Sequence, residues 1–497
     1  MKNVYMIGLT SFVCILLIWN FFSASSALTV LTGENKNTSQ IRLLDNEGNQ
    51  VATYELEKDN PFKNNEAMKQ ATNEMTSWEQ NNQGRKGTIE VPKGTWRFDE
   101  QILLPEGAIL KGENEKTVLV RTLDAFPKGP VETIDGKKYY EGIIRMNSHT
   151  TMKNIILDGK KGNRKANPSQ NGIVARGKYA EGGEGNPPHE SDYLEDIIIE
   201  DTVIQNITGD GITLDLIRGL TIKGSIAVKD EKCPMQVKNT GNNGIMGYSI
   251  ENATIKNVLT KKIGDVNDGG KNYNIALTMQ KMNEPPNDGY ELQTKYPVSK
   301  NVSVTNSVFI DNSNWEGLDT HSGQNMEFTE NVFVGIARPI VIGGQEYNRK
   351  YYYPPKGITI KNNRINQGKD VEIWKPRNGK QSKVGIAVWG ATQNYPLVEN
   401  GKLVGSGDER YQKNIGYITG TKIMNNTIDQ VELVEKQKKD ASMFGGIALK
   451  LTKEIIVEGN QIGLAKDGSM KGSGIILSSS NIESKIQNNQ VGHTTGF

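Results

Sequence analysis

Cysteine is nearly absent: the 497 residues contain 2, and one of them, Cys14, lies in an apolar N-terminal run. With Cys233 alone beyond that run, no disulfide can form within a processed chain. This excludes a disulfide-stapled scaffold and suits an exported bacterial protein better than a eukaryotic one. An excess of charge is lacking too. Against 59 Lys and Arg stand 57 Asp and Glu, a net +2, which excludes a nucleic-acid binder acting through bulk charge. No hydrophobic stretch outside the N-terminus is long, and a mean hydropathy of -0.55 excludes a polytopic membrane protein. No phosphate-binding loop, dinucleotide fingerprint, zinc-ligand spacing or serine elbow occurs, so nucleotide and metalloprotease chemistry have no support. Histidine is scarce, with 4 in the chain.

What the chain has is turn formers. Glycine numbers 53, and asparagine makes up close to a tenth of the residues. These two residues adopt positive φ most readily, so their joint excess predicts many sharp turns between short strands. At the N-terminus, Lys2 is followed by an apolar run from Val4 to Phe22 and the small-residue tract Ser23 to Ala27, the pattern of an export signal. The run is also long enough to remain as a membrane anchor. The protein is therefore expected outside the cell or on its surface, touching the membrane only through residues 4–22.

From about residue 199 a motif recurs: an apolar residue, a polar one, two turn formers, then an aliphatic. Ile199 to Val203, Ile255 to Leu259, Val304 to Val308 and Phe328 to Val332 are examples, and Ile360 to Ile365, Ile423 to Ile428 and Ile486 to Val491 repeat it with one extra residue. The shortest step is about 23 residues. A second strand signal follows all copies but the last, as in Gly211-Ile-Thr-Leu214, Gly317-Leu-Asp-Thr320 and Gly446-Ile-Ala-Leu449. Three short strands per repeat without a helix predict an all-β protein, a single-stranded right-handed parallel β-helix of about 10 or more coils. The turn residues Asn257, Asn306, Asn362, Asn425 and Asn488 are expected to stack as a ladder along its axis. Helical spacing of Ala67, Met68, Ala71, Met75 and Trp78 predicts a short N-terminal capping helix over 64–81. The division expected is an export or anchor segment 1–27, a strand and linker 28–62, an N-terminal cap 63–112 and the β-helix with loop insertions 113–497.

The cap carries a resemblance. Gly87-Thr-Ile-Glu-Val-Pro-Lys-Gly-Thr-Trp96 and Leu104-Pro-Glu-Gly-Ala-Ile-Leu-Lys-Gly112, with Met152-Lys-Asn-Ile-Ile-Leu-Asp158-Gly159, resemble the first coils of the pectate-lyase-like superfamily. That group includes pectate lyases, polygalacturonases, alginate C5-epimerases and phage tailspikes. The likeness covers about residues 60 to 495 and implies a polysaccharide substrate, either modified or merely bound by a surface adhesin module.

Alternation along the second strand places pairs of residues on its outer face, and one pair stands out. Asp319 and His321 put a carboxylate and an imidazole side by side. This resembles the Asp-x-His of alginate epimerases and related lyases, although Thr320 replaces their Pro and Trp315-Glu316 precede it. The resemblance implies abstraction of the proton next to a uronate carboxylate, with His321 as base and Asp319 as its partner or as the group that neutralises the carboxylate. Glu316 is a further carboxylate, and Lys281 and Arg338, one coil away, are cations for a uronate. Asp210 and Asp215 leave open a second reading, glycoside hydrolysis by paired carboxylates. Asp215 lies three coils from His321, so on this count it lines a subsite at most. Trp315, Trp389 and Tyr248, with aromatic insertions at 282–298, 344–356, 366–383 and 391–414, are expected to stack on sugar rings. No metal or other cofactor is predicted; calcium has no dedicated loop. Without a coiled coil or trimerising tail, a monomer is expected.

Overall fold

Ile102, Ile144, Ile173, Ile212, Ile245, Ile275, Leu318, Ile340, Ile386, Ile447 and Ile475 are successive parallel partners, one from each of eleven coils. The computed structural model describes residues 39–493 apart from intervening segments, of which the longest are 122–131, 161–169, 178–187, 280–294, 374–381, 404–414, 432–444 and 465–473. The column is buried from Ile102 to Ile447. A single coil could not hide these side chains, whereas stacking at about 4.8 Å buries them continuously and pairs each backbone group with the coils on either side. Parallel crossovers of this kind are right-handed, and the chain is a right-handed parallel β-helix.

The strands are longer than the three-part repeat predicts. Ile212–Lys223, Ile245–Lys256 and Val308–His321 each run through a corner at left-handed residues: Leu216 and Gly219 in the first, Ser249 and Asn252 in the second, and Asp311 in the third. A positive-φ residue turns the chain without breaking its pairing, so two strand signals merge into one bent strand. Among the described residues, twelve of the 26 non-glycine positions with positive φ are Asn, which is the use the composition pointed to.

The asparagine ladder exists, one residue later than expected. Asn257, Asn306, Asn362, Asn425 and Asn488 take the left-handed conformation. Ladder bonds are made by the residues after the left-handed positions of five coils: Asn331, Asn363, Asn426, Asn460 and Asn489. Asn426 Oδ1 accepts from the backbone N and side-chain Nδ2 of Asn363, both at 2.9 Å, while its own Nδ2 donates to Ile360 O at 3.0 Å and Asn460 Oδ1 at 2.9 Å. The left-handed residue turns the next side chain inward, where its amide serves turn groups that water cannot reach. Asn426→Ala strands several buried donors and acceptors, and is expected to cost about 2–4 kcal/mol in urea unfolding.

At the N-terminal end, helix α1 (Pro61–Asn81) buries Ala67, Met68, Ala71 and Met75. Gln40–Leu44 pairs antiparallel with both Gln50–Glu55 and Thr88–Val91, closing the edge of the first coil. The predicted export or anchor segment lies outside the described residues, and no described helix is long and apolar enough to cross a membrane.

Candidate active site

Four consecutive coils build the site. Tyr273, Glu316 and Arg338 are register partners, as are Ala276, Asp319 and Val341 beside them. His321 follows two residues after Asp319 on the same outer face, with Gly343 and then Trp389 opposite it in the next two coils. Strict alternation from the inward Leu318 would turn Glu316 inward as well. The irregular register between Asn312 and Glu316 resets the alternation at the corner. Buried Asn312 braces that corner, donating to Glu316 O at 2.9 Å and Asn272 O at 2.6 Å and accepting from Trp315 N at 3.1 Å.

The polar atoms of Glu316, Asp319 and His321 lie within 4.8 Å of one another. His321 Nε2 is 3.4 Å from Asp319 Oδ1, and Arg338 Nη1 donates to Glu316 Oε1 at 3.0 Å. Asp319 is wholly buried, and its column neighbours, Ala276 and Val341, cannot solvate it. With both carboxyls ionised, neither Asp319 oxygen has a donor. A proton on Glu316 is the donor that neighbouring side chains offer it. Burial holds the Asp319 carboxyl well above the usual range, opposed by the Glu316 hydrogen bond and the Arg338 charge. Burial first, then the Asp319 charge, pushes Glu316 up to about 8 against the pull of Arg338. The His321 side chain is 31 % exposed, far more than either carboxylate. Burial of the rest lowers its pKa, offset by Glu316 and by a side-chain hydrogen bond with Gln345. Burial thus favours the neutral form of all three groups, with the imidazole nearest the surface.

Aromatic rings frame this cluster. The Arg338 guanidinium lies 4.2 Å from the Trp315 ring centroid and 5.4 Å from that of Trp389, with Lys271 Nζ 5.0 Å from Trp315. The Tyr273 ring meets His321 edge-on, centroids 6.4 Å apart, and its hydroxyl pKa is raised by burial and then by Asp319 and Glu316. Glu316, Asp319 and His321 are the one grouping among the described residues that could hold a metal ion. Arg338 already brings positive charge to Glu316, so these residues fit a shared proton better than a divalent cation.

The structure thus gathers Glu316, Asp319, His321, Arg338, Trp315 and Trp389, and leaves others apart. Tyr248 stands two coils from His321 in the same column, and Asp215 three. Asp215 corrects the sequence reading: it is 1 % exposed and faces Arg176 Nε at 3.9 Å, so it is neither solvated nor placed to touch a substrate. Asp210 accepts from Asn243 N and Nδ2, both at 3.0 Å, as part of a turn ladder. The outer face as a whole is less open than alternation implied: Thr213, Met246, Ala276, Val341 and Ala387 are all buried. Lys281 and most of the aromatic insertions lie outside the described residues, while Tyr296 and Tyr353 pack together with Met279 and Val298. Sequence reading passed over Tyr273, Gln345, Lys271 and Gly343. Tyr273 had a signal, its place two residues before the inward Ile275, which aligns it with Glu316.

No family model matches the chain, and no characterised sequence matches it. Solved structures similar to it include the Azotobacter vinelandii mannuronan C-5 epimerase AlgE6 A-module, at 13% identity and a TM-score of 0.41 over 86% of this chain and 94% of that one. The DFA-IIIase of Arthrobacter chlorophenolicus A6 is similar at 9% identity and 0.47, over 87% and 95%. PfbA, a surface adhesin of Streptococcus pneumoniae, is similar at 14% and 0.38, over 87% and 88%. Such likeness concerns the fold alone, which the strand register has already established: the chain is a right-handed parallel β-helix.

Proposed function

We propose that this chain is an exported enzyme that removes the proton next to the carboxylate of a uronosyl residue in an acidic polysaccharide, as a lyase or a C5-epimerase. The observation that carries this reading is a neutral, partly exposed imidazole backed by a wholly buried carboxyl. His321 takes the C5 proton, and the electron pair left on C5 spreads into the sugar carboxylate, which Arg338 neutralises. In a lyase that pair then forms the C4–C5 double bond as the C4–O bond breaks, and the departing oxygen takes a proton from Tyr273. In an epimerase a proton returns to C5 on the opposite face. Hydrolysis by an inverting pair is less well served. Glu316 and Asp319 are closer than the ~6.5–9.5 Å that admits a water, and Asp319 cannot reach a sugar.

The test is incubation of the protein with alginate, pectate and hyaluronan. Unsaturated ends or deuterium uptake at C5 in D2O is the expected result. New reducing ends with neither signal would establish hydrolysis instead, and binding without any product would leave a surface module.

A further inference from the structure

Gly343 is a glycine that neither backbone nor packing requires. Its φ lies outside the left-handed region that other glycines, such as Gly335 and Gly357, occupy. Glycines at the start of the same strand in neighbouring coils are fixed by crowding. A Cβ on Gly317 would come 2.6 Å from Pro339 O, one on Gly385 would come 2.5 Å from Gly446 O, and one on Gly446 would come 2.4 Å from an Ile462 methyl. A Cβ on Gly343 would meet, among the described residues, only His321: Cδ2 at 3.6 Å and Nε2 at 3.9 Å, ordinary contact. Gly492 in the last coil is similarly free, whereas Gly317, Gly385, Gly390, Gly446 and Gly474 are all crowded.

The column places this gap between two rings. His321, Gly343 and Trp389 are successive partners, so the His321 and Trp389 backbones are two coil steps apart, about 9.6 Å. With glycine at 343, no side chain of this column stands between them. The Trp389 indole packs beside Val341, Ala387 and Ala448 and lies 5.4 Å from the Arg338 guanidinium. A side chain at position 343 would fill the space onto which the Cδ2–Nε2 edge of the imidazole opens.

We infer that the notch over Gly343 is the subsite for the reacting sugar, admitting one uronosyl residue between His321 and Trp389, and that the missing side chain at 343 determines access to the imidazole. This rests on the reading of His321 as the base and adds to it where the substrate lies. The bound residue stacks one face toward Trp389 and turns its C5–H edge to His321, while its carboxylate points to the Arg338 side.

The experiment compares the full chain with Gly343→Ala and Gly343→Val, in two readouts. First, diethyl pyrocarbonate modification of His321 is followed by peptide mass spectrometry, with the exposed His149 as internal control. Valine is expected to bring His321 modification down to the level of a buried imidazole while His149 is unchanged, and alanine to have a small effect. Secondly, kcat/KM on the uronate polymer is expected to fall about a hundredfold in Gly343→Val, with urea midpoints close to that of the parent. Unchanged His321 modification in Gly343→Val, or full turnover by that variant, overturns the inference and leaves the proposed reaction standing. Shielding of His321 in a protein that turns over no uronate keeps the notch and overturns the proposed reaction.

Discussion

His321→Gln is expected to lower kcat on the uronate polymer by about 10²–10⁴-fold, the usual contribution of a positioned general base, with KM nearly unchanged. Glutamine keeps the approximate length of the side chain and offers polar groups to Asp319 and Gln345, but has no nitrogen able to take a proton from carbon. Because the side chain is 31 % exposed and its neighbours keep their own partners, the urea midpoint should stay near that of the parent. The pH profile gives an independent check. The base must be neutral to act, so kcat rises as the imidazole loses its proton and then levels. Since burial outweighs the Glu316 charge, that rise should lie on the acid side of ordinary histidine. Parental kcat in His321→Gln, with the same pH profile, would remove the imidazole from the chemistry.

Stability should fall as pH rises from about 5 to about 9, and Glu316→Gln should make that slope shallower. The sign follows from the direction of the shift. Glu316 titrates near 8 in the fold against an ordinary 4.5, so between those values the folded chain holds a proton that the unfolded chain has released. The contribution of the neutral carboxyl is complete below about 4.5 and disappears as pH rises through 8. Asp319, shifted in the same direction by its burial, adds to the slope. The Glu316 difference corresponds to on the order of 3–5 kcal/mol. Glutamine carries no charge at any pH, so the variant should equal the parent in acid and match or exceed it in alkali, although Arg338 loses its partner. Urea unfolding at both ends of the range reads this directly. A parent whose midpoint does not change with pH would show that the carboxyl pair is ionised in the fold, and a Glu316→Gln slope as steep as the parent's would show that Glu316 is not the group that carries it.

Much of this site was legible in one dimension. Asp319 and His321 were found because alternation along a strand is a local rule, and two residues on one face stay neighbours whatever the rest of the chain does. Glu316 and Arg338 were near enough in repeat register to be named beside them. Tyr273 and Gly343 were not found, since their importance comes from alignment across coils, and steps of unequal length obscure which residue of one repeat stands over which residue of the next. The ladder shows the same limit at single-residue scale. Asn362 and Asn363 are adjacent and chemically identical, and only the left-handed φ of the first determines that the second turns inward.

The chain by itself determined the architecture. Its aliphatic residues recur with turn formers between them at a step that no helix bundle or sandwich uses, and such a pattern can bury its apolar face only by stacking coil on coil. What tertiary structure alone decided is the state of the charges. Asp319 and Asp215 occupy equivalent kinds of position, outward on the same strand, and sequence gives each the same exposed carboxylate. Packing hides both, but sets Asp215 against Arg176 and Asp319 between Ala276 and Val341, with Glu316 and His321 as its polar neighbours. Desolvation and neighbouring charge depend on what surrounds an atom in three dimensions. That environment sets Asp215 in an ion pair with Arg176 and favours the neutral form of Asp319 beside Glu316 and His321.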